Sequence, residues 1–347
     1  MIDMRAQVIH QPQEMSYDHV RTPELGGTDI LIRIGATLTC GTDLKAYLRG
    51  HPILSFPVTV GHEYAGEVVS VGSQVQGFSE GDRVVTVHSG PCLACFYCLR
   101  GQENLCQSLT ETMVWGGFAQ YVRIPSHVHR SNTIKLPPGL SFDHAAFLEP
   151  VACVVYGMKH VDLTGVENAV VLGAGPIALL FIQRLKSAGV PRVICAGKHA
   201  NRLAKAEEVG ADHVFDVEAL NVHNEVRALT GGYGTDLVVE CVGQIHAWDH
   251  ALSLTRKGGQ VLLFGGCPSG TKVTLDTRRI HYDELTLKGV FHYTPREVRE
   301  AFDLIQTGQI KVDPLITGEF ELSALPHAFD RLIQGNGIKY VIRPDNG

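Results

Sequence analysis

A chain of 347 residues, with 44% hydrophobic and 19% charged side chains, is long enough for about two globular domains with sizeable cores. Its net charge of −6 and lack of any basic run argue against nucleic acid or an anionic membrane as partner. No stretch approaches the roughly 20 apolar residues needed to span a bilayer, and the N-terminal MIDMRAQVIHQPQEM has no basic-then-apolar leader, so a cytoplasmic protein is expected.

Up to about residue 150 the chain is dense in Gly and Pro and reads as short β-runs such as DILIRIGATLT, YAGEVVSVGS and GDRVVTVHSG. Within it lie Cys40-Gly41-Thr42-Asp43 and Gly61-His62-Glu63, and Glu149-Pro150 opens an apolar helical stretch. Thiolate, imidazole and carboxylate together form a ligand set that holds zinc with one position open, as catalysis requires. Between them Cys92, Cys95, Cys98 and Cys106 follow the spacing C-x2-C-x2-C-x7-C, which suits one tetrahedral ion better than disulfides. The lobe around them, about residues 88–110, has too few apolar residues for a core of its own, so a closed four-thiolate zinc is the physical reason it can be ordered. The other five cysteines are scattered, and Cys195 and Cys241 sit in strand-like apolar runs.

From about residue 160 apolar strands alternate with helices, the pattern of a parallel sheet covered on both faces. The run NAVVLG leads into Gly173-Ala174-Gly175-Pro176-Ile177-Ala178 and an apolar helix. Gly173 allows a tight turn, Gly175 lets backbone approach a pyrophosphate, and Pro176 fits the first helical turn, so the helix N-terminus is a dinucleotide phosphate site. About 20 residues further on, NAD sites carry a carboxylate for the adenosine ribose. Here Gly197 stands in that place, followed by Lys198 and, a turn later, Arg202; cations that could hold a 2′-phosphate predict NADP(H) over NAD(H).

Taken together, the cysteine lobe, the CGTD, the GHEYAGEVVSVG and GDRV run and the GAGPIA loop resemble the zinc-containing medium-chain alcohol/polyol dehydrogenases over nearly the whole chain. That resemblance implies an α/β protein with a GroES-like β-barrel catalytic domain (1–155 and 293–347) and a doubly wound Rossmann domain (156–292). It implies two zincs per chain, the structural one and a catalytic one held by Cys40, His62 and either Glu63 or Glu149, with Cys153 the next candidate. Thr42 matches the hydroxyl of a proton relay whose end is Lys45 or, as a substitute, His51, and Asp43 orients His62. Ile177, Val242, Gly265 and Phe291 complete the cofactor set. Tyr47, Phe118, His292 and Tyr293 match substrate-pocket positions, and favour a polyol, sugar or cyclitol. A homodimer or homotetramer is implied by relatives that pair an edge strand across a two-fold. The competing readings are an L-threonine 3-dehydrogenase-like enzyme and a non-catalytic NADPH-binding protein of the same fold.

Overall fold

The computed structural model describes residues 3–345; residues 1, 2, 346 and 347 of the expected catalytic domain lie outside them. The strands are β1 (Asp3–Gln11), β2 (Glu14–Arg21), β3 (Ile30–Leu38), β4 (Glu63–Val71), β5 (Arg83–Val87), β6 (Tyr121–Ile124), β7 (Thr133–Lys135), β8 (Asn168–Leu172), β9 (Arg192–Gly197), β10 (His213–Asp216), β11 (Thr235–Glu240), β12 (Thr255–Leu263), β13 (Thr286–Gly289), β14 (Ile316–Glu321) and β15 (Lys339–Arg343). Helices that bear on function are α1 (Gly41–Arg49), α2 (Ser126–Asn132), α3 (Phe142–Ala145), α4 (Leu148–Met158), α5 (Pro176–Ser187) and α6 (Ala200–Glu208). The chain divides into two compact units. One holds the chain up to Ala152, Tyr293–Gly308 and the segment from Ile316; the other holds Cys153–His292 and Gln309–Leu315, a short return that the expected 293–347 segment did not separate.

In the first unit, β14, β15, β3, β4, β5 and β7 form one curled sheet, with β6 pairing β3, and β1 and β2 form a separate hairpin. Along β3 the alternation Ile30, Ile32, Ile34 follows the two-residue strand period and packs these side chains with Tyr64, Val68, Val84 and Val122. Each such apolar side chain withdrawn from water contributes about 1.5–3 kcal/mol. The C-terminal strand is tied in twice, since Val341 pairs with Leu38 while the Tyr340 amide donates to Thr39 Oγ1 at 2.9 Å. That tether sets the C-terminal strand beside Cys40.

The second unit is a parallel sheet in the order β10-β9-β8-β11-β12-β13. Numbered within the unit this is 3-2-1-4-5-6, the doubly wound Rossmann order, whose direction of winding reverses between β8 and β11. Val170, Val171, Val238 and Val239 at that centre are fully buried, which is why their strands read as unbroken apolar runs. Ligands bind outside the carboxyl ends of the strands at such a reversal, and the Gly173–Gly175 turn stands at the end of β8.

Candidate active site and nucleotide site

Cys40 is the extended residue that precedes α1, and His62 immediately precedes Glu63 at the start of β4. One ligand atom each from Cys40, His62 and Glu63 lies within 4.8 Å of the other two. A buried carboxylate fixes the imidazole, because Asp43 Oδ1 is 3.0 Å from His62 Nδ1 and also accepts from the Gly61 amide at 3.0 Å. With Nδ1 so engaged, Nε2 is the nitrogen left for a metal. Burial alone pushes the His62 imidazole down, but Asp43 and Cys40 outweigh it and hold the group well above its ordinary value. A soft thiolate, an imidazole and a carboxylate converging in an environment that favours positive charge suit zinc.

Glu63 is paired with the ammonium of Lys339 from β15, and both side chains are buried. Lys339 Nζ also donates to the Thr39 carbonyl at 2.9 Å. Glu149, in the first turn of α4, belongs to a different group, with Oε1 3.9 Å from His88 Nδ1. Thr42 is half-buried and Lys45 exposed on α1.

In the lobe, the four sulfurs of Cys92, Cys95, Cys98 and Cys106 lie within 4.8 Å of one another. All four are free thiols, and separations of 3.5 Å for Cys95–Cys98 and 3.9 Å for Cys92–Cys98 are far beyond a disulfide bond. The amides of Cys98 and Gln107 pull the Cys95 thiol down to about 6, whereas burial and its sulfur neighbours push Cys98 up. Four thiolates cannot share this space without a cation, which is the charge balance a closed zinc site with four cysteine ligands provides.

At the nucleotide end, Gly173 has φ 107°, and the N-cap Gly175 brings no side chain to the first amides of α5. A Cβ on Gly197 would stand 2.7 Å from Ala174 Cβ and 3.0 Å from its amide nitrogen, so β9 approaches the turn as closely as glycine allows. The missing carboxylate therefore has a steric cause besides any choice of cofactor. Lys198 is engaged by Glu218, Nζ to Oε1 at 2.7 Å, in an exposed ion pair. Val242 and Gly243 donate to buried Glu240 Oε1 at 2.6 and 2.9 Å, while the Gly265 amide donates to the Glu240 carbonyl at 2.9 Å, which fixes the wall that carries Val242 and Gly265. Phe291 is half-exposed and stacks on His292 at 5.5 Å.

Residues 26–138 match the family of the alcohol dehydrogenase GroES-like domain, and residues 176–307 match that of the zinc-binding dehydrogenases. The chain belongs to the zinc-containing medium-chain alcohol/polyol dehydrogenase family. It is 34% identical over 338 residues to the D-arabitol-phosphate dehydrogenase of Enterococcus avium (95% of this chain, 94% of that one). It is 31% identical over 332 residues to the L-threonine 3-dehydrogenase of Pseudoalteromonas translucida (93% and 94%). Among solved structures it resembles a zinc-binding dehydrogenase from Sinorhizobium meliloti bound to NADP, at TM-score 0.90 and 31% identity, covering 99% of this chain and 100% of that one. The protein is thus an oxidoreductase of this family, and among its described residues no helix is long and apolar enough to cross a membrane.

Two of the expected pocket residues of the dehydrogenase, Phe118 and half-buried Tyr47, pack on the same aromatic ring. Phe118 is fully buried, and Tyr47 packs with it on Phe329, at ring separations of 6.0 and 5.7 Å, in the cluster under α1. The stretch that carries Phe118 faces the Cys40–His62–Glu63 group with Trp115, whose ring lies 5.3 Å from His62 and 5.5 Å from His88. Tyr293 is buried, with Oη 3.2 Å from Ser89 Oγ and 3.4 Å from His88 Nδ1. Sequence reasoning missed Trp115, His88, Ser89 and Lys339. Only Lys339 carried a signal, as a charge at the head of a strand, KYVIR, whose next three residues are buried.

Proposed function

We propose that the enzyme transfers a hydride between a nicotinamide cofactor, NADP(H) in preference to NAD(H), and a secondary alcohol or ketone of the polyol, sugar or cyclitol class. The observation that carries this reading is the convergence of Cys40, His62 and Glu63 beside buried polar side chains, His88, Ser89, Glu149 and Tyr293, where an enzyme of plain aliphatic alcohols would present an apolar wall. Relatives named for sorbitol and arabitol phosphate support the class. A relative named for L-threonine keeps a threonine 3-dehydrogenase-like activity as the second reading.

Cys40, His62 and Glu63 are assigned to a catalytic zinc, with Glu149 reserved for substrate, and Cys92, Cys95, Cys98 and Cys106 to a structural zinc. When bound, the catalytic zinc supplies Lewis acidity that lowers the pKa of a coordinated hydroxyl, and the nicotinamide supplies the hydride acceptor. Asp43 keeps the His62 proton on Nδ1, and Lys339 holds Glu63 by its carboxylate. Thr42 Oγ1 receives the substrate hydroxyl proton. We assign the end of the relay to His51 rather than exposed Lys45, since burial holds the His51 imidazole below its ordinary value and Nδ1 is buried without a partner, so it is a neutral acceptor near pH 7. Lys198 and Arg202 are assigned to the 2′-phosphate. Edge strand β13 is the surface through which a homodimer or homotetramer would form.

A panel of polyols, aldoses, cyclitols, threonine and simple secondary alcohols, run with both cofactors on zinc-loaded and chelated enzyme, tests the reading. Zinc-dependent turnover of hydroxylated substrates with NADP is expected. NADPH binding without turnover of any of them would mark a binding protein and end the proposal.

A further inference from the structure

We propose that Glu240, the buried carboxyl group that closes β11, is a positioning residue for the cofactor and takes up a proton as the cofactor binds, so that affinity for the nicotinamide dinucleotide falls as pH rises. The inference rests on the nucleotide-site reading above and names a residue through which that site responds to protons.

Glu240 is fully buried, and it pairs with Leu172 of β8 on one side and Leu263 of β12 on the other, beside the point where the winding of the sheet reverses. Its Oε1 accepts from both the Val242 and the Gly243 amides, so the side chain holds the turn that follows β11. That turn has no slack. A Cβ on Gly243 would stand 2.5 Å from the Gly266 carbonyl oxygen, and one on Gly265 would stand 2.3 Å from the Gly243 nitrogen and 2.7 Å from Glu240 Oε2. Trp248 Nε1 donates to the Gly265 carbonyl at 3.1 Å and holds that segment in place. Val242 in its turn reaches the glycine turn after β8, since a Cβ on Gly173 would stand 3.3 Å from Val242 Cγ2 and 3.7 Å from Cys241 Cβ. Shifting the Glu240 carboxyl therefore shifts a side chain packed against the turn on which a pyrophosphate would rest.

The other carboxyl oxygen brings in the proton. Oε2 is buried without a hydrogen-bond partner, with Gly265 pressed against it. One oxygen is enough to hold two amides, and a second left dry makes the anion costly. Burial accordingly pushes the Glu240 carboxyl up, and the Gly243 and Val242 amides offset this only in part. The titratable groups around it give little relief. Cys241 and Cys195 are thiols that burial pushes up, so they are neutral. β8 and residues 264–266 carry no titratable side chain, while Arg256 and Lys257 lie at the far end of β12, with Arg256 on Asp236. The helix Ile245–Leu254 carries exposed His246 and Asp249, and His250, which burial pushes down. A pyrophosphate arriving at Gly173 brings negative charge towards this desolvated group and favours its protonated form. Between the values of the free and the loaded protein the complex then holds more protons, so the dissociation constant rises with pH across that interval and is flat outside it.

The probes are NADPH and NADH, the second having no 2′-phosphate of its own to titrate. Both are titrated by calorimetry into the full-length, zinc-loaded protein and into Glu240→Gln and Val242→Ala, from about pH 5 to 9, in buffers of different ionisation heat that count the protons exchanged. Wild type should take up a fraction of a proton per NADH bound, and its Kd should rise at least about threefold across the range. Glu240→Gln keeps an oxygen for the two amides but cannot ionise, so its Kd should stay near the acid-end value of wild type and the uptake should vanish. Val242→Ala should weaken binding at least about twofold at every pH with the uptake intact; equal affinity there overturns the positioning role. Uptake that is absent from wild type, or that persists in a folded Glu240→Gln with only a lower Tm, overturns the proton assignment and leaves a structural turn residue. Infrared difference spectra give the same readout on wild type alone, where a protonated-carboxyl band must gain on addition of NADH, and no gain overturns the proposal. If neither cofactor binds at any pH, the nucleotide-site reading fails and takes this proposal with it, whereas binding without proton uptake ends this proposal only.

Discussion

Replacing Lys339 by Met isolates the charge that the polypeptide places opposite Glu63. Both side chains are 1% exposed, so removing the ammonium leaves a carboxylate with neither water nor a partner. Breaking a buried ion pair from one side costs about 3–5 kcal/mol. At about 2–4 °C per kcal/mol for a unit of 150–250 residues, the metal-free variant should melt roughly 6–20 °C below wild type. Burial pushes the Lys339 ammonium down, yet Glu63 and Cys40 push it further up, so it is charged throughout the neutral range and the full effect is present at pH 7. With zinc bound, the ion takes over part of the carboxylate charge, so the loss should shrink to half or less. Lys339→Met combined with Glu63→Gln removes both charges and should recover most of the metal-free stability, because neutral replacements of buried pairs are well tolerated. Thermal melts of metal-free and zinc-loaded protein, with zinc content measured on the same samples, decide the matter. A metal-free Lys339→Met within about 1 kcal/mol of wild type, or an equal loss with and without zinc, would falsify the assignment of Glu63 as a residue shared between the ammonium and the metal.

Glu218→Gln should release Lys198 from an exposed pair worth no more than about 1 kcal/mol and raise the NADPH-over-NADH ratio of kcat/KM by about two- to fivefold. Lys198→Leu should lower it by about tenfold; ratios within twofold of wild type in both would leave Lys198 a surface charge only. Cys92→Ser should lose one zinc per chain by elemental analysis and lower Tm while turnover per folded molecule persists, and equal zinc content in variant and wild type contradicts the lobe assignment. Asp236 accepts from the Glu167 and Asn168 amides and from Arg256 Nε at 2.6 Å; burial pushes its carboxyl up, but Arg256 and the amides outweigh it and leave it below the ordinary value. A depressed folded-state value means stability that is present above the unfolded pKa of about 3.9 and lost as pH falls through the folded one. Asp236→Asn should therefore cost about 1–3 kcal/mol at neutral pH and flatten the acid limb of the stability curve, and an unchanged acid slope would exclude the Asp236 contribution.

What the sequence disclosed was local. The four-cysteine spacing, the strand-turn-helix around Gly173 and the alternation of β3 are each contained in a short window, where spacing dictates geometry. Residues joined only by the fold were hidden: Lys339 meets Glu63 across 276 positions, and Tyr293 meets His88 across 205. The surroundings of aromatic residues were hidden for a related reason, since nothing local distinguishes Phe118, buried under α1, from Trp115 three residues earlier, which faces the two histidines. Lys198 read as an unclaimed cation because its partner Glu218 lies 20 residues on, beyond a helix and a strand. Gly197 carried a packing constraint that looked, in one dimension, only like a missing acid.

The Glu63–Lys339 pair also imposes an order on biosynthesis. Cys40, His62 and Glu63 leave the ribosome early, but their counter-charge emerges only after every strand of the nucleotide-binding sheet. Until β15 docks on β3, Glu63 faces Cys40 and His62 with no ammonium, and a nascent chain that captured zinc then could keep the carboxylate on the ion. If Glu63 serves the zinc as proposed, the final strand, arriving last, would withdraw part of that carboxylate charge from the ion, and a chain arrested before Lys339 would hold zinc differently from the finished enzyme.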